Sequence, residues 1–201
     1  LEEELRKFEE EKQAEAERRE EMIPPSLDFN YEERTMSILI YMAADNNLES
    51  EAIADLCEME MSRLNTNKIT VLVLLDRNEG YNTSNGNWSC TKMFKLKTGK
   101  NDSDIKFISE EISCPELNLY PESEVELDMS SNYVLESSIS FMKKRFPAEY
   151  YGLIMWGHGT GWRNDEVVNV SSDFSTHKAY CYDLNSNSYM TLFQLSQGLL
   201  N

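Results

Sequence analysis

The chain has few cysteines and almost no imidazole. Its four cysteines, Cys57, Cys90, Cys114 and Cys181, are scattered over 201 residues, with no CxxC pair and no Cys/His spacing that would build a zinc site. They neither require nor exclude an oxidising compartment. Only two histidines are present, His158 and His177, so imidazole chemistry is confined to two positions. Long apolar runs are also missing: the longest reach about nine residues against the roughly 20 needed to cross a bilayer, so no transmembrane segment is expected. Positive charge is scarce, with 19 Lys and Arg against 36 Asp and Glu and a formal net charge of −17. Such an excess repels phosphate backbones and anionic membranes, which argues against nucleic acid as a partner and leaves small cationic or basic peptide partners open. The chain opens at Leu1 without an initiator Met or a basic-then-apolar leader. Any targeting segment is therefore expected to have been removed or to lie outside this sequence, and localisation has to be argued indirectly.

What is present suffices for one globular domain, since 40% hydrophobic content in 201 residues can close one real core. The first 22 residues stand apart. They carry ten Glu and five Lys or Arg with little that is apolar beyond Leu1, Leu5, Phe8 and Met22. Such a segment can be a solvated helix held by pairs such as Glu3 and Lys7, but it cannot bury a core face. Leu1, Leu5 and Phe8 do not continue as a heptad seam, which disfavours a coiled-coil arm, and Pro24-Pro25 ends any helix. The organisation expected is a Glu-rich arm or tether over 1–30 and a folded domain over 31–201.

Within the domain, strand and helix patterns alternate. Met36 to Ala44 (MSILIYMAA) and Ile69 to Leu75 (ITVLVLL) read as strands buried on both faces of a parallel sheet. Between them, Asp45-Asn46-Asn47 supplies turn and cap chemistry for a helix with Leu48, Ala52, Leu56, Met59 and Arg63 on one face. Strand, helix, strand in this order implies a right-handed crossover. Trp88 to Leu96 partly alternates and predicts an edge hairpin or meander appended to the sheet. A second helix is expected behind Ser130 or Ser131, with Leu135, Ile139, Met142 and Phe146 on its stripe and Pro147 as its stop. Tyr151 to Trp156 then reads as a third buried strand. A last helix starts at Thr191, where Thr191-Leu192-Phe193-Gln194 fits a capping box and Leu192, Leu195 and Leu199 make an apolar stripe.

In open α/β sheets ligands gather at the carboxyl ends of the parallel strands. Gly157-His158-Gly159-Thr160-Gly161-Trp162 occupies that place after the third strand. The glycines fall at 157, 159 and 161, which is not the GxGxxG spacing of a dinucleotide loop, and no helix pattern follows them. A histidine held there suits general-base work near neutral pH; the alternative is a glycine-rich turn with an incidental histidine. Asp45 and Asn46 end the first strand on the same side, either rimming a substrate cleft or capping the following helix. His177 lies in a polar loop and is most simply solvated. Trp156 and Trp162 bracket the loop, walling it or packing on the sheet.

Ile40-Tyr41-Met42-Ala43-Ala44-Asp45-Asn46-Asn47-Leu48-Glu49, Asp55-Leu56, Glu58-Met59, Asp76-Arg77 with Gly80-Tyr81, and Trp156-Gly157-His158-Gly159-Thr160-Gly161-Trp162 together resemble the clostripain family of cysteine peptidases. The resemblance runs from about Thr35 to Leu200, with 97–127 matching only loosely. It implies a caspase-like α/β/α sandwich with a mainly parallel central sheet, shared with caspases, gingipains and legumains. It further implies a His-Cys dyad in which His158 is the histidine, and an oxyanion hole to which the N–H of Gly159 contributes. Attack by the thiol gives an acyl-enzyme that water clears, and the histidine protonates the leaving amine. Substrates implied are peptides or proteins with a basic Arg or Lys before the cut bond, bound by acidic residues.

The family's nucleophile sits in a strand-Asp-Ala-Cys segment after the last helix, and no residue of this chain takes that position. Cys181, in Ala179-Tyr180-Cys181-Tyr182-Asp183, matches a strand that is not catalytic in the family, and an isolated cysteine there is more simply structural. Cys57 and Cys90 are weaker candidates still. The expectation is therefore a domain incomplete at its C-terminus, whose catalytic Cys comes from further sequence or a second chain; the alternative is an inactive peptidase-like domain that binds peptides or acts as a scaffold. Members are often cut internally into two chains that stay associated, and the polar loop from Arg163 to Lys178 is where such a cut is expected. Calcium is implied for some members and asks for oxygen ligands, but there is no DxDxDG-like loop, so no metal residues are assigned from sequence. A secreted or envelope-attached bacterial setting is implied, which an extended charged arm would suit as a tether.

Overall fold

The computed structural model describes residues 34–99, 106–159 and 179–200, together with Arg6. Apart from Arg6, the expected arm over 1–30 lies outside the described residues, as do Thr160, Gly161, Trp162 and the loop from Arg163 to Lys178 with His177.

Strand β1 (Met36–Ala44) is the pivot of the sheet. It pairs in parallel with β2 (Ile69–Arg77) on one side and β5 (Tyr150–Gly157) on the other. Beyond β2 come β3 (Thr91–Lys95) and the two-residue β4 (Glu110–Glu111), both antiparallel to their neighbours. The order is β4-β3-β2-β1-β5. The outer two strands form the meander expected from the alternating text around Trp88 to Leu96. A short 3₁₀ turn, Pro115–Leu117, follows β4. A separate antiparallel pair, β6 (Ala179–Asp183) and β7 (Ser188–Thr191), leads into the last helix.

Alternation along the central strands divides the core in two. Leu39, Tyr41 and Ala43 of β1 with Leu72 and Leu74 of β2 face the helix α2 (Asn132–Arg145), meeting Val134, Leu135, Phe141 and Met142. Ile40, Met42 and Ala44 with Val71, Val73 and Leu75 face the helix α1 (Glu49–Glu60), meeting Ala52, Ile53 and Leu56. The result is an α/β/α sandwich with parallel pairing at its centre. Continuous apolar text gives β1 and β2 a partner layer on each face. Two buried hydroxyls tie the α2 side to β1: Tyr41 donates to the Met129 carbonyl at 3.0 Å and Ser37 to the Phe146 carbonyl at 2.7 Å.

Three local expectations need correcting. The first is β5, which is only half buried, with Tyr150, Tyr151 and Ile154 exposed, because among the described residues it has a strand on one side alone. The second concerns the caps. No side chain caps α2 at Ser131; instead Asp128 accepts the Ser130 N–H at 2.9 Å, and the Ser130 hydroxyl turns to Ser188. The third is the helix α3 (Leu192–Leu200), whose expected stripe is only partly buried: Leu195 packs against the core on the α2 side, Leu192 and Leu199 are exposed, and Gly198 makes the close contact with Leu135 of α2. Its capping box is present as read: Gln194 N–H donates to Thr191 Oγ1, and Thr191 N–H donates to Gln194 Oε1.

The α1 side carries a buried ion pair. Arg77, the last residue of β2, donates from Nε to Glu49 Oε1 at 2.6 Å, and both side chains have no exposed surface. Its Nη2 and Nη1 donate to the carbonyls of Asn82 and Ser84, and the guanidinium lies 4.5 Å from the Trp88 ring centre. One cation thus fixes the start of α1 and the loop after β2. By contrast, Lys97 and Glu110 pair at 3.3 Å in solvent. Glu49→Ala should therefore cost about 3–5 kcal/mol by stranding a buried charge, whereas Glu110→Ala should change stability by less than about 1 kcal/mol. Urea unfolding of the full-length protein checks both.

Candidate active site

The register of the parallel strands brings their carboxyl ends level. Ala43 lies opposite Asp76 of β2 and opposite Gly157 of β5. The residues just past those points, 45–47 after β1 and 158–159 after β5, therefore share one edge of the sheet. Gly157 makes this crossing possible: its φ is +134°, and a Cβ there would lie 2.7 Å from the Ala43 carbonyl oxygen. Only glycine meets both conditions without displacing β1.

His158 is half buried, and its Nε2 lies 2.8 Å from Asn47 Oδ1. An amide oxygen only accepts, so the ring nitrogen facing it carries the hydrogen and the neutral ring keeps its lone pair on Nδ1. Asn47 thus orients the ring and sets its tautomer. Burial holds the His158 pKa below its ordinary value, favouring the neutral, proton-accepting form. Gly159 is exposed, and its backbone bridges to Tyr180 of β6 in antiparallel fashion. Trp156 donates from its indole to Asp55 of α1 at 2.7 Å, so its ring is fixed on the α1 side of the sheet.

Asp45 and Asn46 are both buried. Asn46 gives its two amide hydrogens to the carbonyls of Ala43 and Tyr182, and its Oδ1 accepts the Leu48 N–H. It thereby binds the end of β1 to β6 and shapes the turn into α1. Asp45 accepts the Asn78 amide on one oxygen and the Asn185 N–H on the other, while its carbonyl accepts the Leu184 N–H. Both side chains are occupied within the protein.

Around Asp45 lies a set of carboxylates that the sequence does not show as a group. Ligand oxygens of Asp45, Asp76 and Glu126 all fall within 4.8 Å of one another, and Asp183 adds its charge nearby. Burial pushes the Asp45 carboxyl up to about 6, with Asp183's charge adding to the rise and the Asn185 and Asn78 donors opposing it. Burial likewise drives Asp76 well above the carboxylate range, helped by the charges of Glu126, Asp183 and Asp45. Glu126 is raised by burial, then by Asp45 and Asp183, against the Asn185 amide. Asp76 Oδ1 accepts the Thr91 hydroxyl at 2.7 Å, whereas its Oδ2 is buried with no hydrogen-bond partner. Calcium, implied for some members of the resembled family, takes such oxygen ligands, and this set fits it. The residues are 31 and 50 positions apart along the chain, so no local motif could reveal them.

Burial pushes the Cys181 thiol up to about 12 and the Cys90 thiol to about 11, and raises Cys114 further. A nucleophilic cysteine needs its pKa lowered, the opposite of what burial does to these three.

Residues 40–201 match the pattern of the clostripain family, and the chain belongs to that family. Clostripain of Hathewaya histolytica is 29% identical over 153 residues, a span covering 74% of this chain and 27% of that protein. The chain thus spans a little over a quarter of the length of this curated relative. Iotapain, a secreted C11 cysteine protease from Bacteroides thetaiotaomicron, is 14% identical with a TM-score of 0.50, covering 83% of this chain and 42% of that one. A chain of a B. fragilis cysteine protease is 25% identical with a TM-score of 0.46, covering 68% of this chain and 98% of that one. The fold is the caspase-like α/β/α sandwich that the sequence led us to expect.

Gly157→Ala should be among the most damaging single-methyl additions in the chain, since it forces a positive-φ alanine against β1. The expected loss is about 2–4 kcal/mol, read as a lower urea midpoint. Gly80→Ala is the control: its φ is +92° but a Cβ there meets nothing within 4 Å, so a smaller loss of about 1 kcal/mol is expected from the backbone alone.

Proposed function

We propose that this chain supplies the histidine half of a cysteine endopeptidase of clostripain type, which hydrolyses peptide bonds after Arg or Lys. The observation that carries the reading is His158 at the carboxyl end of β5, with its Nε2 on Asn47 and its pKa held low by burial. Family membership supplies the reaction class. The cysteine comes from outside this chain, in further sequence or in a second chain, consistent with the raised pKa values of Cys90, Cys114 and Cys181.

In this reading the neutral His158 takes the thiol proton through Nδ1, and the thiolate attacks the peptide carbonyl carbon. The tetrahedral oxyanion is stabilised by backbone donors that include the Gly159 N–H. As the C–N bond breaks, the imidazolium gives its proton to the leaving amine, and water, deprotonated by His158, then cleaves the thioester. Asn47 keeps the ring turned for both transfers. Asp45 and Asn46 contribute by fixing the strand-end turn beneath the cleft rather than by touching peptide. Basic side chains of the substrate suit the strongly acidic protein. The cation that the Asp45, Asp76 and Glu126 set fits would neutralise charge behind the site, and no step of the reaction passes through it.

No helix among the described residues is long and apolar enough to cross a membrane. A secreted or envelope-attached location is proposed by analogy with the secreted Bacteroides relative.

With the full-length protein, hydrolysis of fluorogenic peptides ending in Arg or Lys should fall about 10²–10⁴-fold in His158→Ala; unchanged turnover would remove the histidine from the mechanism, and no turnover in the wild type would favour an inactive peptide-binding domain. The acidic limb of kcat/KM should lie below pH 6.5, because activity needs the unprotonated ring and burial disfavours its charged form. Asn47→Asp should move that limb to higher pH by placing a carboxylate on the ring N–H. A limb that stays in place in this variant would show that Asn47 does not touch the working histidine.

A further inference from the structure

Charge is sorted along the length of the sandwich. Asp45, Asp76, Glu126 and Asp183 gather at the carboxyl ends of the parallel strands. The opposite end, where β1, β2 and β5 begin at Met36, Ile69 and Tyr150, is basic. We infer that this basic end is the docking surface for the chain's own Glu-rich segment, residues 1–22, which joins the fold there.

Several elements build the surface. Lys68 stands directly before β2, and its carbonyl accepts the Thr35 N–H at 2.9 Å. β3 runs antiparallel to β2, so Lys95, opposite Leu72, lies towards the same end. α2 finishes there too, with Lys143, Lys144 and Arg145 in its last turn and the Phe146 carbonyl taking the Ser37 hydroxyl. The Arg34 guanidinium and Lys95 Nζ each lie 5.6 Å from the centre of the Phe146 ring. Cations from two distant stretches of chain thus converge on one ring, next to three more on the helix that carries it. The dipole of α2 accounts for a basic last turn, but not for Arg34, Lys68 and Lys95, which come from outside the helix.

The acids of this region are already engaged. Glu110 pairs with Lys97, Glu60 is buried on the Ser109 N–H, and Glu149 faces the Tyr150 hydroxyl. Among the described residues, Lys68, Lys95, Lys143, Lys144 and Arg145 form no ion pair. Like charges brought together in this way favour a negative partner.

The chain carries such a partner at hand. Residues 1–22 hold ten Glu against five Lys and Arg, and only residues 23–33 separate them from Arg34, itself part of the surface. That connection spans at most about 36–40 Å, more than the roughly 21 Å length of the 14-residue α2, so the whole basic end is within reach. Exposed pairs are individually weak and screened. A segment already attached is present at an effective concentration of about millimolar, where several weak pairs together hold it. Phosphate-rich partners would meet the same cations but also a net charge of −17. Docked here, the segment lies the length of β5 from His158, roughly 26 Å for eight residues, and leaves the carboxyl-end cleft uncovered.

Full-length protein in low salt is treated with a carbodiimide, which joins carboxylates to amines in contact, and the monomer fraction is mapped by mass spectrometry. Bonds from glutamates of 1–22 to Lys68, Lys95, Lys143 or Lys144 are expected, falling at least about fivefold in 1 M NaCl, where the screening length is about 3 Å. Lys97 and Glu110, 3.3 Å apart, are the internal control for reactivity. In Lys143→Glu/Lys144→Glu, changed at two exposed positions, bonds to the retained Lys68 and Lys95 should fall at least about fivefold. Adding Glu9→Lys, Glu10→Lys and Glu11→Lys should restore contact between the segment and this end. If the control bond forms while the segment gives none to the four lysines, the docking is refuted. Bonds confined to a dimer fraction refute it as well, since the segment then seats on a second copy. Bonds to Lys68 and Lys95 that persist unchanged in Lys143→Glu/Lys144→Glu would show mere proximity to Arg34 and overturn the surface. No arm of the experiment reads peptide turnover, so its outcome is separate from the peptidase reading.

Discussion

The two hydrogen-bonded ladders made by β1 set the geometry of everything else. Because β1 is parallel to both neighbours and Ala43 stands opposite Asp76 and Gly157, three chain segments leave the sheet at one level. Slipping either ladder by one residue would turn its side chains to the opposite layer, moving Leu72 and Leu74, or Leu153 and Met155, away from α2. The core on each side therefore enforces the register, and the register in turn fixes how close 45–47 comes to 158. The histidine's environment is in this sense a property of Leu39, Tyr41 and their facing partners.

Strand alternation also sorts the charges at this edge. Arg77 goes to one layer and neutralises Glu49 there; Asp76 goes to the other and meets Asp45 and Glu126. Two neighbouring residues of opposite charge thus put an ion pair on one face and a cluster of carboxyl groups on the other. The overall acidity of the chain is not a diffuse coating. Part of it is concentrated at the ends of β1 and β2, where like charges close together are expensive.

Much of this was legible from the sequence, where the physical signal was local. Continuous apolar text identified β1 and β2, and the Thr191-to-Gln194 spacing identified a capping box whose two reciprocal bonds are present. The glycines around His158 marked a strand-end loop, and the motif blocks pointed to the family. Signals that depend on neighbours were misread. Tyr151 to Trp156 is as apolar as β1, yet β5 is half exposed, since burial is decided by what lies alongside and not by composition. Leu192, Leu195 and Leu199 share a helical face, but only Leu195 packs on the core, beside the close fit of Gly198 against Leu135. Asn47 reads in the sequence only as turn and cap chemistry beside Asp45 and Asn46, although it is the residue that reaches the histidine. Thr91, Glu126 and Asn185 come from three separate stretches of polar text, and only the folded chain brings them together.

The bonds between β6 and the rest of the molecule have a bearing on what counts as one molecule. Asn46 holds the Tyr182 carbonyl, Asp45 holds the N–H groups of Leu184 and Asn185, Asp183 holds that of Met129, and Ser188 is shared with Ser130 and Asp128. Every one of these links joins a residue after position 178 to one before position 160. These noncovalent links join the two sides of that interval in addition to the covalent chain.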